Sequence, residues 1–235
     1  MSYTKRFDNR KFDEMRKIEA KVDIIPRADG SAMFKIGDTV AIAAVYGPRS
    51  LHPKFLQDPE KGILRCNYTM MPFSVSERIR PGPSRRSTEI SLVTSKSLLP
   101  VLDLTKFPNA VVDVFIQIIQ ANAGTRCAGI CAASMALAHA GIPMKDMVAA
   151  VSVGKVGDKI VIDLNKEEED YEDGATDIPV AMTGRNHEIT LLQLDGEVTK
   201  EELMKGLEMA RKGCLDIIEI QKKALREAIK ENQNE

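Results

Sequence analysis

Residues 111–141 read VVDVFIQIIQANAGTRCAGICAASMALAHAG. The run over 111–120 is rich in β-branched residues, which favour a strand, and the small residues from Cys127 to His139 favour a helix. Gly141 and Pro143 end that helix. Because small side chains let another element approach closely, we expect the helix to be buried against a sheet. The stretch predicts a strand, a short loop and a buried helix.

The segments on either side continue this mixture of strands and helices. Before it, short strands are predicted between 21 and 46 and over 63–72, with a helix over 86–99. After it come a hairpin over 147–164, strands over 178–183 and 188–195, and a helix over 200–230 that begins with a capping box of Thr199 and Glu202. We therefore expect an α+β fold of two sheet-plus-helix halves, a single domain over 1–235 with an N-terminal extension over 1–20.

Composition excludes several classes of protein. The chain has 235 residues, 43% of them hydrophobic, so it can bury a sizeable core. Its apolar runs are far shorter than the roughly 20 residues that span a membrane, and residues 1–10 are too polar for a secretory signal. Scattered cysteines and histidines predict reduced thiols and no zinc cluster. We expect a cytoplasmic protein without a membrane partner.

The net charge of −1 conceals a basic segment over 61–96 and an acidic one over 167–177. Within the basic segment, Arg85 and Arg86 follow a loop rich in Pro and Gly and begin the predicted helix. Guanidinium groups match phosphate oxygens in a forked geometry, and positive charge at a helix N-terminus opposes the helix dipole. A bound anion accounts for the pair, and the alternative is a solvated helix start.

A second candidate anion site is Gly124-Thr125-Arg126, where the strand of the first stretch passes into the helix. Free N–H groups at a helix start, a hydroxyl and a guanidinium together hold one phosphate-sized anion. The alternative is a capped helix with Thr125 as its N-cap. Two independent anion sites in one small protein carry more weight than either alone.

The acidic segment 167–177 is followed by an apolar strand pattern. A carboxylate at the edge of a strand, paired with another across the loop, can hold Mg²⁺ by one or two oxygens. Asp177 is the candidate because it adjoins the strand. We interpret most of the acidic run from Glu167 to Glu169 as solvated.

A fourth candidate lies in the predicted strand over 63–72. Arg65 and Asn67 share one strand face, with Tyr68 at the next position. Arg65 is a candidate for contact with an RNA backbone and Tyr68 for stacking on a base. The alternative is that both are ordinary strand residues.

Taken together, these segments resemble the ribonuclease PH family, and within it the catalytic ring subunits of archaeal exosomes. The resemblance covers nearly the whole chain. The motifs that carry it are Arg27-Ala-Asp-Gly-Ser, Ala43-Ala-Val-Tyr-Gly-Pro, Leu51-His-Pro-Lys, Met71-Pro-Phe-Ser, Pro81-Gly-Pro-Ser-Arg-Arg-Ser, Asp113-Val-Phe, Ala123-Gly-Thr-Arg-Cys-Ala-Gly, Ala140-Gly-Ile-Pro-Met, Val153-Gly-Lys and Asp163-Leu-Asn.

The resemblance implies a fold, an assembly and a set of partners. The fold is the ribonuclease PH fold, a duplicated βαβ arrangement of the ribosomal protein S5 domain 2-like type. Six such domains form a ring in which the active subunit alternates with a related inactive one, a trimer of heterodimers capped by RNA-binding subunits. RNA is the substrate and inorganic phosphate the co-substrate.

The resemblance also implies residue roles. Arg85 and Arg86 hold RNA phosphates near the scissile bond, and Thr125 with Arg126 binds the attacking phosphate. The family's two active-site aspartates are usually six positions apart. Asp177 matches the second, but the loop is longer by one or two residues, so Asp170 is our choice for the first, with Glu169 and Asp173 as alternatives. Asp170 and Asp177 are the expected ligands of Mg²⁺ or Mn²⁺.

The implied reaction is a phosphate-dependent 3′→5′ exonuclease reaction that releases nucleoside diphosphates and can run backwards as RNA tailing. Two alternatives within the family are a homohexameric, tRNA-trimming ribonuclease PH and a silent ring subunit that only binds RNA. A small-molecule phosphate-binding enzyme is a third alternative. It leaves Arg65, Tyr68 and the basic loop over 78–86 without a task. Arg65, and less certainly His52 and Lys54, are expected to contact RNA that enters the chamber.

Overall fold

The first half of the chain forms a five-stranded sheet with one crossover helix. The computed structural model describes residues 3–171 and 174–232. The strands lie in the order β1-β2-β3-β5-β4. β4 and β5 are parallel and are connected through helix α1, whereas the other neighbours are antiparallel. The elements are β1 (Ile18–Val22), β2 (Gly30–Ile36), β3 (Thr39–Ser50), β4 (Ile63–Met70), α1 (Arg85–Leu98) and β5 (Ala110–Gln120).

The second half forms a four-stranded antiparallel sheet in the order β7-β6-β8-β9. Helix α2 connects the two sheets, and α4 packs on β6 and β1. The elements are α2 (Thr125–His139), β6 (Val148–Val156), β7 (Lys159–Ile162), α3 (Lys166–Glu169), β8 (Ala175–Thr183), β9 (Ile189–Leu192) and α4 (Lys200–Asn232).

Helix α2 lies at the centre of the core. It packs against β2, β3 and β5 of the first sheet and against β6 of the second, and Ile116, Ile130 and Val151 from these three layers belong to one buried cluster. A Cβ atom on Gly30 of β2 would lie 2.4 Å from the Ala136 carbonyl oxygen of α2. Glycine at this position is what lets the sheet approach the helix so closely.

The α+β class, the fold and the two sheet-plus-helix halves are confirmed. The first strand lies earlier than predicted, because Asp23 adopts a left-handed conformation with a φ of 58° and ends β1 at Val22. The capping box of α4 is present: the Glu202 carboxylate accepts from the Thr199 N–H at 2.8 Å. Within residues 3–171 and 174–232, no helix combines the length and apolar character needed to cross a membrane.

The N-terminal segment, residues 3–17, is held against the second half by buried charges. The Arg6 guanidinium pairs with the Glu168 carboxylate at 2.7 Å, and both side chains are 0% exposed. Arg16 pairs with Asp163 at 2.6 Å. The interpretation of Glu168 as part of a solvated run is therefore wrong, because a buried carboxylate needs a paired cation and Arg6 supplies it.

Candidate active site

A cavity of about 770 Å³ lies between the two halves. Its wall combines α1 and the start of α2 with residues of β6, α3, β8 and the segment after β9. Six of the site residues expected from the sequence line this cavity: Arg86, Gly124, Thr125, Arg126, Asp170 and Asp177. The fold thus brings both candidate anion sites and the acidic segment together.

The start of α2 is shaped by two consecutive residues in the left-handed conformation. Ala123 has a φ of 61° and Gly124 a φ of 63°. Thr39 braces this turn, since its hydroxyl donates to the Ala123 carbonyl at 2.7 Å and accepts from the Asn122 N–H at 2.9 Å. Gly124, and not Thr125, is the N-cap of α2. Glycine has no side chain to cap the helix with, so Gly124 leaves the first N–H groups of α2 uncapped, and the Gly124 backbone hydrogen-bonds the Glu169 carboxylate. A helix start of this kind can bind an anion.

Thr125 is buried, and its Oγ1 accepts a hydrogen bond from the Tyr68 hydroxyl at 2.9 Å. The hydroxyl group of Thr125 can still donate its own proton to another acceptor. Because Thr125 lines the cavity, that acceptor can be a bound anion. The expectation that Tyr68 stacks on an RNA base is wrong for this structure, because its side chain is only 2% exposed and lies in the core. Tyr68 instead supports the residue expected to bind phosphate.

Arg126 projects from the first turn of α2 into the cavity. Its guanidinium donates from Nη1 to the Gln193 amide oxygen and lies 3.5 Å from the Glu89 carboxylate. Gln193 follows β9, and Glu89 belongs to α1 one turn after Arg86. Sequence analysis missed both residues. The one sequence signal for Glu89 is its spacing of three residues from Arg86, which places the two side chains near each other on a helix.

The two arginines expected to hold RNA separate at the start of α1. Arg86 lines the cavity, whereas Arg85 is exposed and lies outside it. The N-terminus of α1 is capped by Ser84, whose side chain accepts from the Ser87 N–H at 3.0 Å. Only Arg86 therefore reaches the cavity directly from this pair.

Asp177 forms the acidic wall of the cavity. Burial raises the pKa of its carboxyl group, and the charge of Asp195 adds to this, whereas a hydrogen bond from Ser152 and the charges of Arg126 and Arg86 oppose it. The backbones of Asp177 and Asp195 form a bridge, which brings the second carboxylate to the cavity. Ser152 and Asp195 carried no recognisable sequence signal.

The candidates for the first acidic residue differ in their surroundings. Glu169 is half-buried, and burial together with the charge of Asp177 raises its pKa to about 7. Asp170 is 61% exposed and pairs with Lys166 at 2.6 Å. Glu169 and Asp170 both line the cavity. Asp173 lies outside the described residues.

Arg65 lies outside the cavity, on the face of β4 that points away from α2. Its guanidinium forms a two-bond pair with Asp113 of β5, at 2.5 and 2.9 Å, and its side chain remains 55% exposed. A role for Arg65 in binding RNA therefore requires an RNA path that extends beyond the cavity.

Two packed sheets with a junction cavity lined by arginines, a helix start and carboxylates are the features expected of an enzyme that acts on phosphate-bearing substrates. Profiles of the 3′ exoribonuclease family match residues 14–143 as domain 1 and residues 146–213 as domain 2. The chain belongs to this family, the ribonuclease PH family, and is a 3′ exoribonuclease. The predicted family and enzyme class are confirmed.

Curated relatives match almost the full chain. The exosome complex component Rrp41 of Thermococcus kodakarensis is 53% identical over 223 residues, which cover 95% of this chain and 89% of the relative. The Rrp41 component of Methanopyrus kandleri is 47% identical over 222 residues, 94% of this chain and 92% of the relative. This chain is therefore similar to archaeal exosome components over nearly all of its length.

Two solved structures share the fold. Rice (Oryza sativa) Rrp46 superposes with a TM-score of 0.82 at 24% identity, over 94% of this chain and all of the other. A chain of the Archaeoglobus fulgidus exosome with RNA bound to the active site superposes with a TM-score of 0.78 at 24% identity, over 92% of both chains. These matches support the fold.

Proposed function

We propose that this chain is the catalytic ring subunit of an archaeal exosome, which shortens RNA from the 3′ end by phosphorolysis. The observation that carries this function is that Arg86, Arg126 and Asp177 line one cavity with Thr125 at an open helix start. A silent RNA-binding subunit has no need to keep all of these parts together. The identity of about 50% to archaeal Rrp41 components over 95% of the chain supports the same function.

We assign one anion to each of the two helix starts that line the cavity. Inorganic phosphate binds at the start of α2, where the N–H groups, Thr125 and Arg126 provide donors. The 3′ end of the RNA binds near Arg86, with Arg85 contacting the chain outside the cavity. Holding two anions at reacting distance lowers the entropic part of the barrier, and the guanidinium groups offset their repulsion.

The reaction exchanges one phosphorus–oxygen bond for another. A phosphate oxygen attacks the phosphorus of the last phosphodiester, the bond to the 3′ oxygen of the preceding nucleotide breaks, and a proton reaches that oxygen. We assign assistance in this proton transfer to Asp177. The products are a nucleoside diphosphate and a shortened RNA. Because phosphate and not water attacks, the reaction is not a hydrolysis, and excess diphosphate should drive RNA tailing.

A divalent cation fits the charge balance of the cavity. Three basic side chains line it against five acidic ones: Arg86, Arg126 and Lys166 against Glu89, Glu169, Asp170, Asp177 and Asp195. An excess of negative charge has to be offset before phosphate and RNA can bind.

We therefore propose that Mg²⁺, or Mn²⁺, is held by Asp177 together with Asp170 or Glu169. No group of three or more potential ligands is gathered anywhere in the described part of the chain. The protein thus offers one or two carboxylates, and water and substrate phosphates would supply the other oxygens. When bound, the cation would neutralise charge on the reacting phosphate oxygens.

The proposed assembly is a hexameric ring in which this chain alternates with a related inactive subunit, with RNA-binding subunits as a cap. The curated relatives are named exosome components, which supports this assembly. Arg65 fits it as a contact for RNA that approaches the cavity from outside, with His52 and Lys54 as further contacts. We propose the cytoplasm as the location. All four cysteines are free thiols, which fits a reducing compartment.

The test is to incubate short 5′-labelled RNA with the chain alone and with its candidate ring partner, with and without inorganic phosphate. We expect stepwise shortening and release of nucleoside diphosphates from the mixture only when phosphate is present. Asp177→Asn should abolish turnover while the ring, followed by light scattering, still assembles. Full activity of the chain alone would favour the homohexameric alternative, and RNA binding without shortening would favour the silent subunit.

A further inference from the structure

Arg126 is held by a closed ring of three side chains. Its Nη1 donates to the Gln193 amide oxygen, the Gln193 amide nitrogen donates to the Glu89 carboxylate at 2.8 Å, and Glu89 lies 3.5 Å from Arg126 Nη2. The three residues come from α2, the segment after β9 and α1. The ring therefore ties together the two helices that carry the candidate anion-binding arginines.

Gln193 connects Arg126 to Glu89 within this ring. An amide accepts through its oxygen and donates through its nitrogen, so it can join a cation to an anion without adding charge. The backbone of Gln193 is fixed by its N–H, which donates to the Pro179 carbonyl at 3.1 Å. Gln193 is thus anchored to β8, and its amide oxygen holds Nη1 of Arg126.

Glu89 has a different effect, because it is a carboxylate beside the cation that phosphate has to use. A guanidinium group has five N–H donors, and the ring uses one on Nη1 and one on Nη2. The remaining donors of Arg126 are therefore available to a phosphate. Phosphate that binds to Arg126 meets the negative charge of Glu89. The Glu89 side chain is 42% exposed and that of Arg126 18%, so solvent screens this repulsion in part.

We propose that Gln193 and Glu89 are positioning residues that set the affinity for inorganic phosphate through Arg126. Gln193 increases the affinity by orienting the guanidinium, and Glu89 decreases it by neutralising part of its charge. This inference rests on the proposed function, because Arg126 is assigned there to phosphate.

The experiment varies phosphate and RNA separately in steady-state assays of the assembled ring. For Gln193→Ala, we expect KM for phosphate to rise about tenfold, the equivalent of one hydrogen bond to a charged group. For Glu89→Gln, which keeps an acceptor for Gln193 and removes the charge, KM for phosphate should fall about threefold, the scale of a half-exposed ion pair. KM for RNA and the melting temperature should change little in both variants.

Glu188→Gln, at an exposed position outside the cavity, is the matched control and should leave both KM values unchanged. Opposite shifts in KM for phosphate support the inference, since a merely structural role would move both variants in the same direction. A rise in KM for phosphate in Glu89→Gln, or no change in Gln193→Ala, would overturn it.

The same variants are also titrated with inorganic phosphate by calorimetry. If the wild-type ring releases no diphosphate, the proposed function fails, and the calorimetric affinities decide the inference by themselves. If the wild-type ring binds no phosphate, both fail.

Discussion

The hydroxyl group of Tyr68 donates a hydrogen bond to Oγ1 of Thr125 over 2.9 Å. A residue in the core of β4 thereby fixes the hydroxyl of a residue that lines the candidate active-site cavity. Burial raises the pKa of Tyr68, although the bond to Thr125 and nearby arginines oppose this. The phenol therefore stays protonated and remains a donor at neutral pH.

Tyr68→Phe should weaken phosphate binding without affecting RNA. The substitution keeps the ring in the core and removes one donor, which should cost about 1 kcal/mol of unfolding free energy. With Thr125 free to rotate, we expect KM for phosphate to rise by about three- to tenfold. Chemical denaturation and steady-state kinetics measure the two effects. An unchanged KM for phosphate would contradict the role of Tyr68 in supporting Thr125.

Asp170→Asn should raise the Mg²⁺ concentration needed for half-maximal activity more than Glu169→Gln does. Asp170 is exposed, and its pair with Lys166 is a surface ion pair worth about 0–1 kcal/mol, so a cation can displace it. Glu169, with a pKa raised to about 7, is about half protonated near neutral pH before any cation binds. Magnesium titrations of both variants measure the difference. A larger effect in Glu169→Gln would assign the first acidic position to Glu169.

Arg6→Met should destabilise the fold by about 3–5 kcal/mol, because it leaves the buried Glu168 carboxylate without its cation. Replacing both residues, as in Arg6→Met with Glu168→Leu, should recover part of the loss, since no unpaired charge is then buried. Thermal and urea unfolding measure both variants. An unchanged stability in the single variant would contradict the role of the pair.

The pair of Arg6 and Glu168 should also make the stability of the fold depend on pH. Burial raises the pKa of Glu168, but hydrogen bonds from Arg6, Asn165 and Tyr3 outweigh burial and leave it below the usual value. A carboxyl group with a lowered folded pKa adds stability above its unfolded pKa, and this stability is lost as the pH falls through the folded pKa. In Arg6→Met, burial without the cation raises the pKa of Glu168 above 4.5. The stability difference between wild type and Arg6→Met should therefore shrink as the pH falls through that raised pKa and on to the lowered pKa of the wild type.

Arg65→Gln should raise KM for RNA while KM for phosphate stays the same. Glutamine removes the charge without placing a second carboxylate against Asp113. Loss of one phosphate contact should also reduce the salt dependence of RNA binding. Fluorescence anisotropy with labelled RNA at several salt concentrations measures this. Unchanged RNA affinity would remove Arg65 from the RNA path.

Much of the fold was readable from local patterns. The β-branched run over 111–120, the small-residue helix α2 and the capping box of α4 all formed close to where the pattern placed them, because each depends on neighbouring residues. Strand alternation also places Tyr68 on the face opposite Arg65. That rule already predicts the burial of Tyr68, and only its proposed contact with RNA was wrong.

The sequence by itself determined the family and predicted the arginines and the helix start as candidate anion sites, because motif residues and short-range periodicity encode them. The tertiary structure alone decided which carboxylates are buried and which side chains hold Arg126. Glu168 is 162 residues from Arg6, and Gln193 is 104 residues from Glu89. Contacts between such distant positions leave no pattern in a single chain, since they arise only when separate elements pack together.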